Sequence, residues 1–343
     1  MRILQNTLYV TSPEAYLALD GENILVLKDE REAARVPLHN LEGVVSFGYT
    51  GASPALMGAC AKRNIALSFL SANGRFLARV TGEQKGNVLL RKTQYRVSED
   101  EERALPLAQR FIESKLYNSR WVLERAARDY GLRLDSQRLR QIGQSLGEAA
   151  RQAALTDTLE SLRGLEGEAA ARYFSVFDEL ILQQKEVFSF KGRSRRPPMD
   201  KVNALLSFTY TLLAHETAAA LETVGLDPYV GFLHKDRPGR TSLALDFMEE
   251  LRAVVADRMV LTLINKRMVN GDGFHQKENG AIIMEDDTRR IVLSAWQSRK
   301  KEQIIHPFLQ EKIPWGLVPY VQALLLARYL RGDLDGYPPF FWK

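Results

Sequence analysis

His234, Asp246 and Glu249 lie in the stretch GFLHKDRPGRTSLALDFMEELR, where one imidazole precedes two carboxylates by twelve and fifteen residues. The carboxylates have i, i+3 spacing within a helical pattern, and His234 comes from the loop before that helix. An imidazole with carboxylates suits Mg²⁺ or Mn²⁺ and is less diagnostic of zinc. The spacing therefore predicts a divalent-metal site, and the alternative is a histidine that only makes structural hydrogen bonds.

Two basic loops accompany this segment. The loop 235–240 carries three cations, and the loop 191–196 carries four cations in six residues before Pro197-Pro198. Such clusters suit contacts to a phosphate backbone, although a solvated charge run is the plainer interpretation. A divalent ion framed by cations favours phosphodiester chemistry. The candidate DNA-binding residues are Arg193, Arg195, Arg196, Lys235, Arg237 and Arg240.

The segment 242–268 has helical periodicity with an apolar face and an acidic side. A solvated acidic stripe would explain the acidic side, and a bound metal that relieves carboxylate repulsion is the alternative. The acidic residues are Asp246, Glu250 and Asp257, with Glu249 near the boundary between the two faces.

A second unusual segment is GLEGEAAARYF, in which Glu166 stands between Gly164 and Gly167. Each glycine costs a helix about 1 kcal/mol relative to alanine. We therefore expect another backbone to approach closely here, which would place Glu166 in a tight helix crossing where an unpaired carboxylate is poorly solvated. The alternative is an ordinary surface glutamate.

The elements that must position these residues change character near residue 100. The first ~95 residues read mostly as short strands, with one amphipathic helix from Ser53-Pro54 to about Arg63. Long helical periods follow. The pattern predicts an α+β protein with a small N-terminal β-rich domain, residues 1–95, and a larger all-α domain, residues 96–343. The predicted helices span 101–130, 136–155, 157–182, 200–224, 242–268 and 315–331.

Composition limits the possible classes of protein. The 343 residues carry a net charge of +5 and a single cysteine, Cys60, which excludes an intrachain disulfide and a CxxC zinc cluster. The start of the chain has no apolar signal-peptide core, and no apolar run reaches eighteen residues, so we expect a cytoplasmic protein without a membrane span. P-loop, Rossmann and G-x-S-x-G motifs are absent from the sequence.

Several motifs in one order resemble the universal CRISPR-associated integrase of spacer acquisition, across essentially the whole chain, and look most like members from type I systems. The matching segments are NTLYVTSPEAYLALDGENI, LHNLEGVVSFGYTGASPALMGACA, LRGLEGEAAARYF, RRPPMDKVNALLSFTYTLL, GFLH, SLALDFMEELR and LLLARYLRGDLDGYPPF.

This resemblance implies an N-terminal β-domain used for dimerisation and an all-α catalytic domain. It implies a metal held by Glu166, His234 and Glu249, with Asp246 as a supporting neighbour. Many members of the family have Asp where this chain has Glu249, which leaves open whether Asp246 or Glu249 is the direct ligand. It also implies Mg²⁺ or Mn²⁺ as cofactor, double-stranded DNA as substrate, a homodimer, and a small second CRISPR-associated protein as partner.

The implied reaction is insertion of short foreign DNA duplexes into a CRISPR array by attack of a DNA 3′-OH on a phosphodiester. Two other functions stay open from the sequence. One is a non-catalytic DNA-binding scaffold subunit, and the other is a repair nuclease that cuts branched DNA.

Overall fold

The computed structural model describes residues 6–71, 76–82 and 87–343, and of Phe76 only the backbone. The predicted Asn73-Gly74 turn lies outside these residues. The chain forms two compact units. The first contains residues 1–85, 284–302 and 314–317, and the second contains residues 86–283, 303–313 and 318–343. The first boundary between the units therefore lies after residue 85, ten residues before the boundary expected from the sequence. Two later segments, 284–302 and 314–317, also belong to the first unit.

The first unit contains two small sheets. Strands β1 (Asn6–Val10), β5 (Leu41–Phe47), β6 (Ala66–Leu70) and β7 (Phe76–Val80) form a four-stranded sheet in the order β1-β5-β6-β7. The β1–β5 and β5–β6 pairs are parallel, and the β6–β7 pair is antiparallel. An antiparallel three-stranded sheet contains β2 (Tyr16–Asp20), β3 (Asn23–Lys28) and β4 (Arg31–Pro37).

One helix, α1 (Pro54–Lys62), lies in the crossover between β5 and β6. Its start is fixed because Ser53 Oγ accepts a hydrogen bond from Leu56 N at 3.2 Å and because Pro54 occupies the first helical position, where its missing N–H costs nothing. A later helix, α9 (Asp286–Lys301), also belongs to this unit, and its Gln297 donates to the Thr7 carbonyl at 2.8 Å. The core of the unit includes Leu17, Ile24, Val44, Leu56, Cys60 and Leu67.

The second unit is mainly helical, and with the strand-rich first unit it confirms the α+β prediction. Its helices are α2 (Val88–Glu99), α3 (Glu101–Asp129), α4 (Ser136–Ala153), α5 (Leu159–Ser175), α6 (Lys201–Thr223), α7 (Ser242–Leu251), α8 (Arg258–Asn265) and α10 (Val318–Arg331). Two short hairpins pair β8 (Phe274–Gln276) with β9 (Ile282–Met284) and β10 (Gln303–Ile305) with β11 (Lys312–Pro314). No described helix is long and apolar enough to cross a bilayer.

The predicted helix 242–268 contains one irregularity. A π-helical turn, Arg252–Asp257, joins α7 to α8. Each hydrogen bond of a π-helical turn spans one residue more than in an α-helix, and the side chains that follow are therefore rotated about the helix axis. The prediction of a solvated acidic stripe is wrong, because Asp246, Glu249, Glu250 and Asp257 are all buried. Each of them meets polar or charged partners contributed by other elements of the unit.

The C-terminal tail is fastened to the interior of the second unit. Asn118 of α3 donates to the Glu250 carbonyl at 2.6 Å and to the Phe340 carbonyl at 2.8 Å, and its Oδ1 accepts from Trp342 N at 2.8 Å. The Glu250 carboxylate accepts from Tyr337 Oη at 2.5 Å and from Phe340 N at 2.7 Å. One amide and one carboxylate thereby join α3, α7 and the tail.

We expect Asn118→Ala to lower the free energy of unfolding by about 3 kcal/mol, because it leaves two buried carbonyls and one buried N–H short of a partner. Urea denaturation followed by far-UV circular dichroism measures the change. Gln152→Ala, at an exposed position of α4, is the control and should cost no more than about 0.5 kcal/mol. Equal effects of the two substitutions would show that the tail contacts contribute nothing.

Candidate metal centre

The loop before α7 is wrapped around one buried carboxylate. Asp246 is 0% exposed. Its Oδ2 accepts from Phe232 N at 2.7 Å and Leu233 N at 2.9 Å, and its Oδ1 accepts from His234 N at 2.9 Å. Gly231 allows this close approach, since a Cβ there would lie 2.7 Å from Asp246 Oδ2. A single side chain thus fixes the backbone of the GFLH segment.

The same carboxylate orients the imidazole. Asp246 Oδ1 lies 2.5 Å from His234 Nδ1, and because a carboxylate accepts while three N–H groups already donate to it, the proton is assigned to Nδ1. Nε2 then carries the free lone pair. Hydrogen bonding of one ring nitrogen to a carboxylate, with the other left for a metal or substrate, is the usual arrangement of a metal-binding histidine. Asp246 therefore orients His234, and its supporting role at a metal stays a prediction.

Glu249 lies one helical turn further along α7 and meets a cation from another helix. Lys115 of α3 places its Nζ 2.7 Å from Glu249 Oε2, and the same Nζ is in contact with Glu166 Oε1 of α5. Arg252 adds bonds of 3.1 and 3.2 Å from Nη1 to the two Glu249 oxygens. Two carboxylates from different helices thus converge on one positively charged atom.

The charges around Glu249 determine its ionisation. Burial favours the neutral acid, but the positive charges of Lys115 and Arg252 outweigh it, and together with the nearby His234 they hold the pKa of Glu249 at about 2. The group is therefore a carboxylate at every physiological pH. An anionic oxygen donor of this kind suits a hard divalent cation.

Arg252 is itself held by a buried network beyond Glu249. Its guanidinium lies 4.4 Å from the centre of the Tyr210 ring, and the Tyr210 hydroxyl donates to Asp257 at 2.5 Å. Tyr173 of α5 donates to the same carboxylate at 3.1 Å. The π-helical turn carries both Arg252 and Asp257, so it ties the end of α7 that bears Glu249 to α5 and α6.

The helix that bears Glu166 is also tied to the histidine loop. Arg163 donates from Nε and Nη2 to the Leu233 carbonyl at 3.0 and 2.6 Å. The tight helix crossing expected at Gly164 and Gly167 is wrong, because both glycines are exposed and a Cβ on either would meet no described atom within 4 Å. They lie on an open side of α5, next to a Glu166 side chain that is 28% exposed.

Four residues that shape the site were missed from the sequence: Lys115, Arg163, Gly231 and Arg252. The sequence did contain an indication for Lys115. It follows Phe111 by four positions on the buried face of α3, where an apolar residue would be expected instead of a charged one. Gly231 had a weaker indication, as a glycine directly before a chemically notable loop. Nothing in the sequence pairs Arg163 with a carbonyl seventy residues away.

A scan of family models matches residues 8–298 to the family described as "CRISPR associated protein Cas1". A CRISPR-associated endonuclease Cas1 of Rhodospirillum rubrum is 51% identical over 347 residues, covering 100% of both chains. One from Chlorobaculum tepidum is 48% identical over 338 residues and covers 98% of each. The chain belongs to the Cas1 family.

The architecture agrees with that membership. A solved Cas1 structure from Thermotoga maritima superposes with a TM-score of 0.83 at 21% identity, covering 97% of this chain and 99% of the other. At that identity the likeness concerns the Cas1 fold alone. It extends to both the strand-rich and the helical parts, because nearly all of both chains is covered.

The predicted ligands of this Cas1 chain fit a divalent ion by donor chemistry, although the present geometry does not form a ligand cluster. Within the described residues no three His, Cys, Asp or Glu side chains group closely enough to hold one ion. The fit rests on the Lys115 ammonium, a cation on which the Glu166 and Glu249 oxygens already converge, and on the free Nε2 of His234. Two anionic oxygens and one imidazole nitrogen suit Mg²⁺ or Mn²⁺.

The predicted DNA contacts divide into two groups. Arg193 turns inward, with Nη1 2.6 Å from Asn203 Oδ1 and its guanidinium 5.1 Å from the centre of the Tyr210 ring, which gives it a structural role; its contact with DNA stays a prediction. The side chains of Arg195, Arg196, Lys235 and Arg237 are exposed.

Three of the predicted DNA-binding residues, Arg196, Arg237 and Arg240, come from two different loops. Partial burial lowers the pKa of Arg240, and the positive charges of Arg237 and Arg196 lower it further, against the opposing effect of Asp246. The positive charges of Arg237 and Arg196 thus both act on Arg240, and on this basis we group the three residues as one basic cluster. In the described part of the chain none of the three forms an ion pair within 4.0 Å.

Glu250, next to Glu249, gives the fold a testable dependence on pH. Burial raises the pKa of Glu250 to about 7, against the bonds from Tyr337, Phe340 and Gln322 that lower it. An acid with a raised pKa favours folding while it is protonated, and that contribution is lost as the pH rises from 4.5 through 7. The advantage of the wild type over Glu250→Gln should therefore fall by about 2 kcal/mol between about pH 5 and pH 8.

Denaturant titrations of the two proteins at both pH values test this, and the other titrating groups cancel in the difference between them. The introduced side-chain amide can keep the geometry, with its carbonyl accepting from Phe340 N and its NH₂ group facing Tyr337. A difference in stability that stays constant with pH would contradict the assignment of a raised pKa to Glu250.

Proposed function

We propose that this chain is a metal-dependent DNA endonuclease and integrase, which inserts short DNA duplexes into a CRISPR array by transesterification. The observation that carries the proposal is the convergence of Glu166 and Glu249 on one cation, beside a histidine whose Nδ1 is fixed by Asp246. Membership of the Cas1 family, with relatives named CRISPR-associated endonucleases at 48% and 51% identity, supports the reaction class.

The ion would be held by Glu166, His234 and Glu249. When bound, Mg²⁺ or Mn²⁺ supplies Lewis-acid stabilisation of charge on the scissile phosphate and lowers the pKa of the attacking hydroxyl. The two glutamates provide anionic oxygens from separate helices, and His234 provides Nε2. Asp246 keeps the imidazole in the tautomer and orientation in which that nitrogen is available.

Transesterification needs no energy source, because a DNA 3′-OH replaces another 3′-OH on the same phosphorus. One phosphodiester bond forms as one breaks, and the departing 3′-oxygen takes up a proton. With water in place of the attacking hydroxyl the same residues would catalyse hydrolysis. One site therefore accounts for both the endonuclease and the integrase activity.

The cluster of Arg196, Arg237 and Arg240 would hold the phosphate backbone near the site. These residues come from the loop before α6 and from the loop that carries His234, so a strand bound to them would pass close to the imidazole. Lys235 and Arg195 would extend the same surface, since both are exposed on these loops. Contacts of this kind provide affinity without reading sequence.

The remaining partners belong to the same proposal. The substrates are a double-stranded spacer precursor and the leader and repeat of the array. The active assembly contains a homodimer formed through the β-rich domain and a small second CRISPR-associated protein. Membership of the Cas1 family supports both parts of this proposal.

Strand transfer into supercoiled plasmid with a repeat array tests the proposed reaction, using a labelled short duplex and the small partner protein. We expect joining in Mn²⁺ but not in EDTA, and a loss of at least about 1,000-fold in Glu166→Gln and His234→Ala, because each removes a metal ligand. Both variants should stay folded and bound to DNA.

Three outcomes would separate the possible functions. Joining that survives both substitutions would place the reaction at another site. Binding of DNA without joining in the wild type would favour a scaffold subunit. Cutting of branched DNA without joining would favour a repair nuclease.

The basic cluster predicts the salt dependence of DNA binding. Each lost phosphate contact should reduce the slope of log affinity against log salt by about 0.9, so Arg237→Ala with Arg240→Ala should reduce it by about 2. Fluorescence anisotropy with a labelled duplex across a range of KCl concentrations measures the slope. Arg140→Ala, at an exposed position of α4, removes a charge elsewhere, and an equal reduction there would contradict a specific role for the cluster.

A further inference from the structure

Lys115 is a charged residue at a buried position. It is 6% exposed and lies on the face of α3 that also carries Phe111, Leu107 and Leu116. A lysine is rarely buried to this extent unless its charge is paired. Here the pairing is complete, since Nζ contacts carboxylates from both α5 and α7.

The four charged side chains in direct contact around Lys115 and Glu249 balance one another without a divalent ion. Glu166 and Glu249 contribute two negative charges, and Lys115 and Arg252 contribute two positive charges. Two carboxylates this close, one buried and one partly exposed, would otherwise repel each other. The negative charges of Glu166 and Glu249 are therefore already neutralised by Lys115 and Arg252. A divalent cation that binds these oxygens must displace the Lys115 ammonium from them.

We propose that Lys115 is a resident cation that competes with the divalent ion for Glu166 and Glu249, and so sets the metal concentration at which the site loads. The proposal rests on the metal-dependent function proposed above and extends it. Lys115 is a positioning residue: it holds the two carboxylates in place before the ion arrives and yields at least one of them when the ion binds.

This arrangement also couples metal binding to DNA binding. A phosphodiester brought to the site adds negative charge, which stabilises the divalent ion and gives the displaced ammonium a new partner. DNA should therefore increase the affinity for metal, and by linkage the metal should increase the affinity for DNA by the same factor. Without Lys115 the protein should load with metal readily even when no DNA is present.

Titration of Mn²⁺ followed by the electron paramagnetic resonance of the free ion tests the competition directly. We expect Lys115→Met and Lys115→Gln to bind Mn²⁺ roughly tenfold more tightly than the wild type in the absence of DNA. Lys115→Arg keeps the charge and should stay within about threefold of the wild type. A non-cleavable DNA duplex should tighten binding to the wild type more than to Lys115→Met.

Arg110→Met is the matched control. It removes one positive charge from the same helix, where Arg110 forms an exposed pair with Glu113 at 2.6 Å. Its Mn²⁺ affinity should equal that of the wild type, since a solvent-screened charge contributes little. A gain in affinity as large as that of Lys115→Met would show a general charge effect and overturn the proposal.

Melting temperature provides a readout that does not depend on catalysis. In EDTA, Lys115→Met should melt below the wild type because two carboxylates have lost their partner, and Mn²⁺ should raise its melting temperature by more than it raises that of the wild type. If the neutral variants fold only with Mn²⁺, circular dichroism should show folding restored by the ion. Failure to fold in Mn²⁺ as well would overturn the proposal.

The outcomes separate this inference from the proposed function. A wild type that binds no Mn²⁺, with or without DNA, would contradict the metal site itself. A wild type that binds Mn²⁺, with Lys115→Met and Lys115→Gln of unchanged or weaker affinity, would overturn the competition while leaving the metal site standing.

Discussion

The pairing of Lys115 with Glu166 and Glu249 is the interaction on which the site depends. The two carboxylates belong to α5 and α7, and they converge because the ammonium of α3 contacts both. Glu249 is buried and Glu166 is partly exposed, and two carboxylates this close repel each other, so a cation between them favours bringing the helices together. Removal of one member of such a group leaves an uncompensated charge and destabilises the fold. The same requirement for a cation makes the position suitable for a metal ion.

Around this pairing each functional side chain is fixed by a second polar contact. Asp246 fixes His234, Arg252 braces Glu249, and Arg163 joins the Glu166 helix to the histidine loop. The π-helical turn after α7 allows Arg252 and Asp257 to face Tyr210 and Tyr173 at the same time as Glu249 faces the site. These contacts fix the backbone that carries each functional side chain, while the proposed loading of an ion still requires Lys115 to release at least one carboxylate.

Much of the architecture could be predicted from local pattern. The short early strands, the helix that begins at Pro54 and the six long helical periods all correspond to elements of the structure, because a repeat of two or 3.6 residues is visible in a short window. Helices α2 and α9 were missed. Both are rich in charged residues, and the contacts that stabilise α9, such as that between Gln297 and Thr7, span 290 residues. The three-residue strands β8 to β11 are too short for periodicity.

The site was predicted only in part, for a similar reason. Residue types and motif order pointed to Glu166, His234, Asp246 and Glu249. The partners that give each its role come from distant parts of the chain: Lys115 lies 51 residues from Glu166, and Arg163 lies 70 from Leu233. Periodicity also implied that the acidic side of α7 faces solvent, because the spacing of apolar residues carries no information about buried polar partners such as Tyr337 and Gln322. Glycines 164 and 167 indicated a crossing, but the open side of α5 holds none among the described residues.

The proposed metal centre requires Glu166, His234 and Glu249 to hold one divalent ion. Pulsed electron paramagnetic resonance of the Mn²⁺-loaded protein measures this most directly, because a coordinated imidazole nitrogen modulates the electron spin echo. We expect one Mn²⁺ per chain with coupling to a single imidazole nitrogen. This coupling should be lost in His234→Gln, while Mn²⁺ is still bound at higher concentration. A tightly bound Mn²⁺ with no nitrogen coupling, or coupling that persists in His234→Gln, would contradict it.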